Sequence, residues 1–180
     1  YRIPLTGGGT DLDFYFKKKG GELYSLAINQ YVYVHLQERK VETDYLIQTT
    51  STEFSNDINK IKHILIKETL KFFKIKEKMH VGTYTTIPTK TGLGSSSAMI
   101  VGLINCINKF KKLRLSNLEI VKKAFVIERN ICKYYGGWQD QIISQYGGLV
   151  KININKKNNL KIDKVFLTNK IKKKLKIIYY

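Results

Sequence analysis

Four groups of residues in this sequence have chemistry to offer, and they stand far apart along the chain. Pro88 to Ala98 (PTKTGLGSSSA) carries two glycines and three serines ahead of an apolar run. Gly92 and Gly94 let a backbone turn tightly and come close to a ligand. Ser95, Ser96 and Ser97 supply hydroxyls and an N-cap at a helix start. A helix start also offers free N–H groups and partial positive charge, which suits an anionic phosphate. A flexible loop whose serines merely cap a buried helix is the plainer alternative. The second group is one residue, Glu128, on an apolar helical stripe. A carboxylate there is costly unless it is paired with a structural Lys or Arg or with a metal ion. The third is Tyr135 to Gln141 (YGGWQDQ). Gly136-Gly137 break a helix, and Asp140 falls in the first turn of the next, where the dipole favours negative charge. The fourth is Gly7-Gly8-Gly9-Thr10-Asp11. Three glycines allow an approach that side chains would block, and Thr10 and Asp11 can hydrogen-bond hydroxyls. An ordinary turn, with Asp11 as a helix cap, has the same appearance.

These residues need elements to position them. Tyr1 to Thr6 is short and β-like. Glu22 to Glu38 reads as two strands meeting near Asn29-Gln30, and Asp44 to Thr50 as another. Asp57 to Lys74 has helical periodicity, with Ile58, Ile61, Leu65 and Phe72 near one face. His80 to Ile87 is β-rich, and Pro88 ends its pairing. A helix is expected from Ser95 to about Lys111. A second, capped by Ser116 or Asn117, runs to about Tyr134, with Val121, Ala124, Phe125, Ile131 and Cys132 as its apolar stripe. A short helix begins with Trp138 and ends near Tyr146. Leu149 to Asn155 and Leu160 to Leu167 read as strands around a polar turn. The last segment, 172–180, ends in a strand-like run, which suggests a cut chain.

Composition narrows the class. At 180 residues, with 43% hydrophobic residues and two prolines, the chain is long enough for a good core and too apolar to be disordered. No apolar run reaches the ~20 residues that span a bilayer. Cys106 and Cys132 fall on apolar helical faces and read as buried reduced thiols, which fits the cytoplasm. His35, His63 and His80 are scattered, without zinc-site spacing. The formal net charge of +18 makes nucleic acid or an anionic membrane the first partner to weigh. The lysines, however, are spread over loops and solvent faces, and no RNA-binding aromatic motif accompanies them. A positive field would also draw in phosphorylated substrates.

Taken in order, RIPLTGGGTD (Arg2 to Asp11), PTKTGLGSSSA (Pro88 to Ala98) and YGGWQDQ with its upstream Glu128 resemble the motifs of the GHMP sugar kinases. Within that family the pattern is most similar to the D-glycero-D-manno-heptose 7-phosphate kinases, as is GGELYSLAINQYVYV (Gly20 to Val34). The resemblance implies an α+β fold of the ribosomal-protein-S5 domain 2-like type, a mixed sheet with helices on one side. It implies an ATP-binding domain over 1–170, with 171–180 opening a ferredoxin-like C-terminal domain that is largely missing. It further implies that Pro88, Gly92, Leu93, Gly94, Ser95, Ser96, Ser97 and Ala98 wrap the phosphates of ATP. Ser96 and Glu128 would hold Mg2+, with Ser95 or Ser97 as alternatives to Ser96. Asp140 would be the catalytic acid–base group, oriented by Arg2. Gly7, Gly8, Gly9, Thr10 and Asp11 would meet the sugar. The implied reaction is phosphoryl transfer from Mg·ATP to the anomeric hydroxyl of a heptose 7-phosphate; fucose, galactose and a uronic acid are the alternative acceptors.

Other readings fit less well. There is no GxxxxGK[ST] of a P-loop ATPase and no HRD or DFG of a protein kinase. A dinucleotide fold would need Gly or Ala where Ser97 stands. From another class, a basic RNA-binding module of S5-like fold is the rival, and salt-sensitive RNA affinity indifferent to Mg·ATP would mark it.

Overall fold

A computed structural model describes residues 1–86, 88 and 91–168 of the chain. The expected strand end at Ile87, the strand-like run at 172–180 and the 170/171 domain boundary lie outside these residues.

Strand pairing divides the described chain into two four-stranded sheets. In the first, β1 (Arg2–Thr6), β2 (Gly21–Ala27), β7 (Leu149–Ile154) and β8 (Leu160–Val165) lie side by side, all antiparallel. The second has the order β3-β6-β4-β5, built from β3 (Val32–Glu38), β4 (Tyr45–Gln48), β5 (Thr52–Ser55) and β6 (Met79–Thr85). It is mixed, because β4 runs parallel to β6. The class is therefore α+β, with the strands shared between two sheets. β2 and β3 do not form a hairpin. Leu23 and Ser25 of β2 are buried in the first sheet, while β3 pairs with β6 in the second, so the Ile28–Tyr31 connection passes between sheets.

The longer helices of the described residues pack on these sheets: α2 (Ile64–Phe72), α3 (Ser95–Phe110), α4 (Asn117–Phe125) and α5 (Gln139–Tyr146). α3 buries Ile100, Leu103, Ile104 and Ile107 in the core beneath the second sheet. α5 buries Ile142 and Ile143 in the core of the first. α4 belongs to both, with Ile120 and Ala124 in one core and Val121 in the other. Its start is fixed by a capping box between Ser116 and Glu119.

Three expectations need correction. The helix expected over 57–74 is broken. Asp57 caps a 3-10 turn (Ile58–Lys60), Ile61 is extended, and His63 caps α2 by accepting from the Ile66 N–H at 3.4 Å. The buried face of α2 is therefore Leu65, Ile66, Thr69 and Leu70, and Phe72 reaches the surface. The second correction is that α4 does not continue as an α-helix to Tyr134. Its last part, Val126–Ile131, is a π turn, in which the Cys132 N–H donates to Ile127 O five residues back. This wider turn exposes Ile131 and buries Ile127. Lastly, a short helix α1 (Asp13–Lys19) follows the first glycine run. Phe16 is its one buried residue, so no apolar stripe announces it, and Lys17, Lys18 and Lys19 lie at its C-terminal end, where the dipole favours cations.

Candidate active site

The N-terminus of α3 determines where the other groups meet. Gly94 is its N-cap in the left-handed region (φ 82°), which glycine enters without strain. The first backbone bond of the helix is from the Ala98 N–H to Gly94 O, 2.9 Å. The N–H groups of Ser95, Ser96 and Ser97 therefore precede the helical ladder, as a phosphate-binding helix start requires. The serines do not cap the helix, contrary to expectation. Two of their hydroxyls go to Glu128: Ser96 Oγ donates to Oε1 (2.7 Å) and Ser97 Oγ to Oε2 (2.6 Å). Gln141 Nε2 also donates to Oε2, at 2.7 Å. Glu128 is fully buried, so each of these bonds replaces hydration the carboxylate has lost.

Asp140 stands on the first turn of α5 and pairs through Oδ1 with Arg2 Nε. Arg2 is placed by β1, and its own N–H donates to Leu93 O (3.1 Å), tying that strand to the Gly-Leu-Gly turn. The turn passes directly over the acid, since a Cβ on Gly94 would lie 3.2 Å from Asp140 Oδ1. The other anchor of α5 is Trp138. It stacks on Phe125 with centroids 3.6 Å apart and donates from Nε1 to Asn158 Oδ1 (2.9 Å).

A cavity of about 960 Å3 opens between these elements. Arg2, Asp140, Gly92, Gly94, Ser95 and Ser96 line it, as do Gly9 and Asp11. Leu93 holds Arg2, Ser97 is fully buried against Glu128, Ala98 opens the helical ladder and Pro88 is exposed. The first glycine run mostly shapes the wall. Gly7 packs so tightly that a Cβ would come 2.1 Å from Glu22 O, and Gly8 is exposed. Thr10 Oγ1 lies 2.7 Å from Gly7 O and 2.9 Å from Glu22 O, so its hydroxyl serves the loop. Asp11 is buried and accepts from the Gln139 N–H through Oδ2 (2.9 Å). Sequence reasoning assigned Asp11 to a sugar; the structure gives one of its oxygens to the N-terminus of α5.

The sequence reading did not single out Arg129, which lines the cavity beside Glu128. It also passed over a polar wall formed by Thr49, Thr50, His63, Thr83 and Thr85 from β6, α2 and the loop after β4. No motif marks that wall, because it is assembled from single residues of separate elements. Burial of His63 pushes its imidazole below the usual range, keeping it neutral as the cap of α2.

The geometry is that of a helix start with free N–H groups facing an anchored acid, and the model of the GHMP kinases N terminal domain family matches residues 59–148. The chain belongs to the GHMP kinase family. Among GHMP kinases it is 32% identical over 158 residues to D-glycero-alpha-D-manno-heptose 7-phosphate kinase of Campylobacter jejuni, covering 82% of this chain and 47% of that one. It is 31% identical over 99 residues to a mevalonate kinase of Saccharolobus solfataricus, covering 55% and 31%. The crystal structure of a D-glycero-D-manno-heptose 1-phosphate kinase from Bacteroides thetaiotaomicron superposes with a TM-score of 0.86 over 94% of this chain and 59% of that one, at 24% identity, and so shares the fold. The chain thus spans about half or less of these curated relatives' length. Among the described residues no helix is long and apolar enough to cross a membrane.

The approach of Gly94 to Asp140 gives a direct test. In Gly94→Ala the methyl group must displace the carboxylate, and the left-handed backbone costs about 1–2 kcal/mol. Misplacing a reacting group by up to ~1 Å costs up to about 10²-fold in rate. The expected result is a 10–100-fold lower kcat with a melting temperature only about 3–6 °C lower. Calorimetry and steady-state kinetics on one preparation check both.

Proposed function

We propose that this chain provides the nucleotide-binding part of an ATP-dependent sugar kinase, which moves the γ-phosphoryl group of Mg·ATP to a hydroxyl of a sugar or sugar phosphate. The observation that carries this reading is the buried Glu128 carboxylate, 2.7 Å from Ser96 Oγ at the start of α3, with Asp140 held by Arg2 on the same cavity. The acceptor we favour is the anomeric hydroxyl of D-glycero-D-manno-heptose 7-phosphate, following the name of the Campylobacter relative. The Bacteroides structure's name puts the phosphate at carbon 1 instead, so a heptose phosphate is what the two names share.

The residues fit a magnesium ion. Ser96 Oγ and Glu128 Oε1 are hard oxygen donors close enough to be neighbouring ligands, and Mg2+ characteristically takes one or two protein oxygens beside phosphate and water. Ser96 lines the cavity while Ser97 is fully buried, which favours Ser96 as the ligand. When bound, the ion would neutralise charge on the β- and γ-phosphate oxygens. The N–H groups at the start of α3 hold the phosphates by hydrogen bonds and dipole. Asp140 accepts a hydrogen bond from the acceptor hydroxyl, aims its oxygen at the γ-phosphorus and takes the proton as the new O–P bond forms and the bond to the ADP oxygen breaks. Arg2 holds the Asp140 carboxylate in place and offsets charge on the transferred group. A loose transition state asks for this positioning more than for a strong base.

The test is ADP release by the full-length protein with Mg·ATP and a panel of acceptors: heptose 7-phosphate, heptose 1-phosphate, fucose, galactose and glucuronate. Turnover at least about tenfold faster with a heptose phosphate than with any other acceptor is expected. Turnover confined to another sugar would overturn the acceptor. No turnover together with no affinity for Mg·ATP would overturn the kinase reading and bring RNA binding forward.

A further inference from the structure

Arg129 sits between the two carboxylates of the site. Its side chain is 8% exposed. Nη1 lies 3.4 Å from Glu128 Oε1 and donates to Tyr135 O at 3.2 Å. Nη2 lies 3.7 Å from Asp140 Oδ2 and 3.5 Å from Ser97 Oγ. Asp140 is thus flanked by two arginines, Arg2 at Oδ1 and Arg129 at Oδ2. Gly136 closes the arrangement from above. A Cβ there would lie 2.7 Å from Arg129 Cζ, so its backbone rests on the guanidinium as no other residue's could.

Glu128 and Arg129 both lie in the π turn. On an α-helix, consecutive residues point ~100° apart, and Arg129 would follow Asn130 and Lys133 towards solvent. The π turn lets Glu128 and Arg129 share one buried site. Two carboxylates against one guanidinium repel each other, and a planar guanidinium can meet both at once, which a lysine's point charge cannot.

We propose that Arg129 is the positioning residue that sets the spacing between Glu128 and Asp140, and with it the alignment of metal and base. The proposal rests on the kinase reading above. Its consequence is specific: loss of Arg129 lowers kcat while ground-state binding of nucleotide and acceptor is kept.

The experiment uses the full-length protein with Arg129→Ala and Arg129→Lys, together with a thermal cycle of Arg129→Met, Asp140→Asn and the double variant. For Arg129→Ala the expected result is kcat lower by about 10²-fold, with KM for Mg·ATP and acceptor within about threefold. Guanidinium ion at tens of millimolar restores activity about fivefold or more, and Arg129→Lys stays about tenfold below wild type. In the cycle, Arg129→Met lowers the melting temperature by about 5 °C, and by half of that or less once Asp140→Asn has removed the charge it meets. A kcat within threefold of wild type in folded Arg129→Ala, or additive melting shifts, would overturn the proposal. Absence of turnover by the wild type would instead sink the kinase reading, and the melting cycle would still decide whether Arg129 grips Asp140.

Discussion

Asp140→Asn is expected to lower kcat about 10³-fold while the affinity for Mg·ATP stays the same or rises. General-base help in such a transfer is worth about 10²–10⁴-fold. The side chain keeps its shape, and its amide oxygen can still accept from Arg2, so the fold is preserved. What is lost is the capacity to take the hydroxyl proton. What remains is a surplus of positive charge, because Arg2 and Arg129 no longer face a carboxylate. The nucleotide phosphates are anionic and gain from that surplus. Single-turnover kinetics and calorimetric titration separate the two effects. A kcat within tenfold of wild type would mean that the acceptor proton goes elsewhere.

The second large effect is at Glu128, and two variants divide it. Glu128→Ala leaves Ser96, Ser97, Gln141 and Arg129 without their buried acceptor. Breaking one side of a buried ionic network costs about 3–5 kcal/mol. The melting temperature should therefore fall by about 10 °C, and activity should vanish with it. Glu128→Gln keeps an oxygen for Ser96. Its new amide faces Gln141 Nε2, so Gln141 must turn its own amide over and accept through Oε1, a buried acceptor without a partner among the described residues. The Gln variant should fold, yet lose the negative charge that suits a divalent cation. Its kcat is expected to drop about 10²–10³-fold, with the concentration of Mg2+ needed for half-activity raised about tenfold. A Gln variant with unchanged magnesium dependence would remove Glu128 from the metal site.

What was legible in the sequence follows from how far each signal reaches. Asp140 and the start of α5 could be placed because Gly136-Gly137 interrupt the helical pattern and α5 begins two residues after them; the helix before them ends earlier than expected, at Ile131. Glu128 was legible because a carboxylate at helical spacing among apolar residues needs a partner, and the structure supplies four polar ones. Arg129 was not, because α-helical periodicity assigns it to the solvent side and nothing in the sequence announces a π turn. Thr10 and Asp11 show a related limit. Both residue types can meet a ligand, but the partners that occupy them, Gly7 O, Glu22 O and the Gln139 N–H, become visible only once the strands are paired. The same limit hid the separation of β2 from β3. Local alternation marks each strand and does not say which sheet it joins.

The measurement that tests the central claim most directly is phosphorus NMR of the full-length protein turning over ATP with Mg2+ and a heptose phosphate. With heptose 7-phosphate as the acceptor, the γ-phosphoryl resonance should be replaced, mole for mole with ADP, by a new phosphate ester coupled to the anomeric proton of the sugar, and Asp140→Asn should slow its appearance about 10³-fold. ADP accompanied only by inorganic phosphate, at a rate indifferent to the sugar, would contradict it: the site would then hydrolyse ATP and not be a sugar kinase.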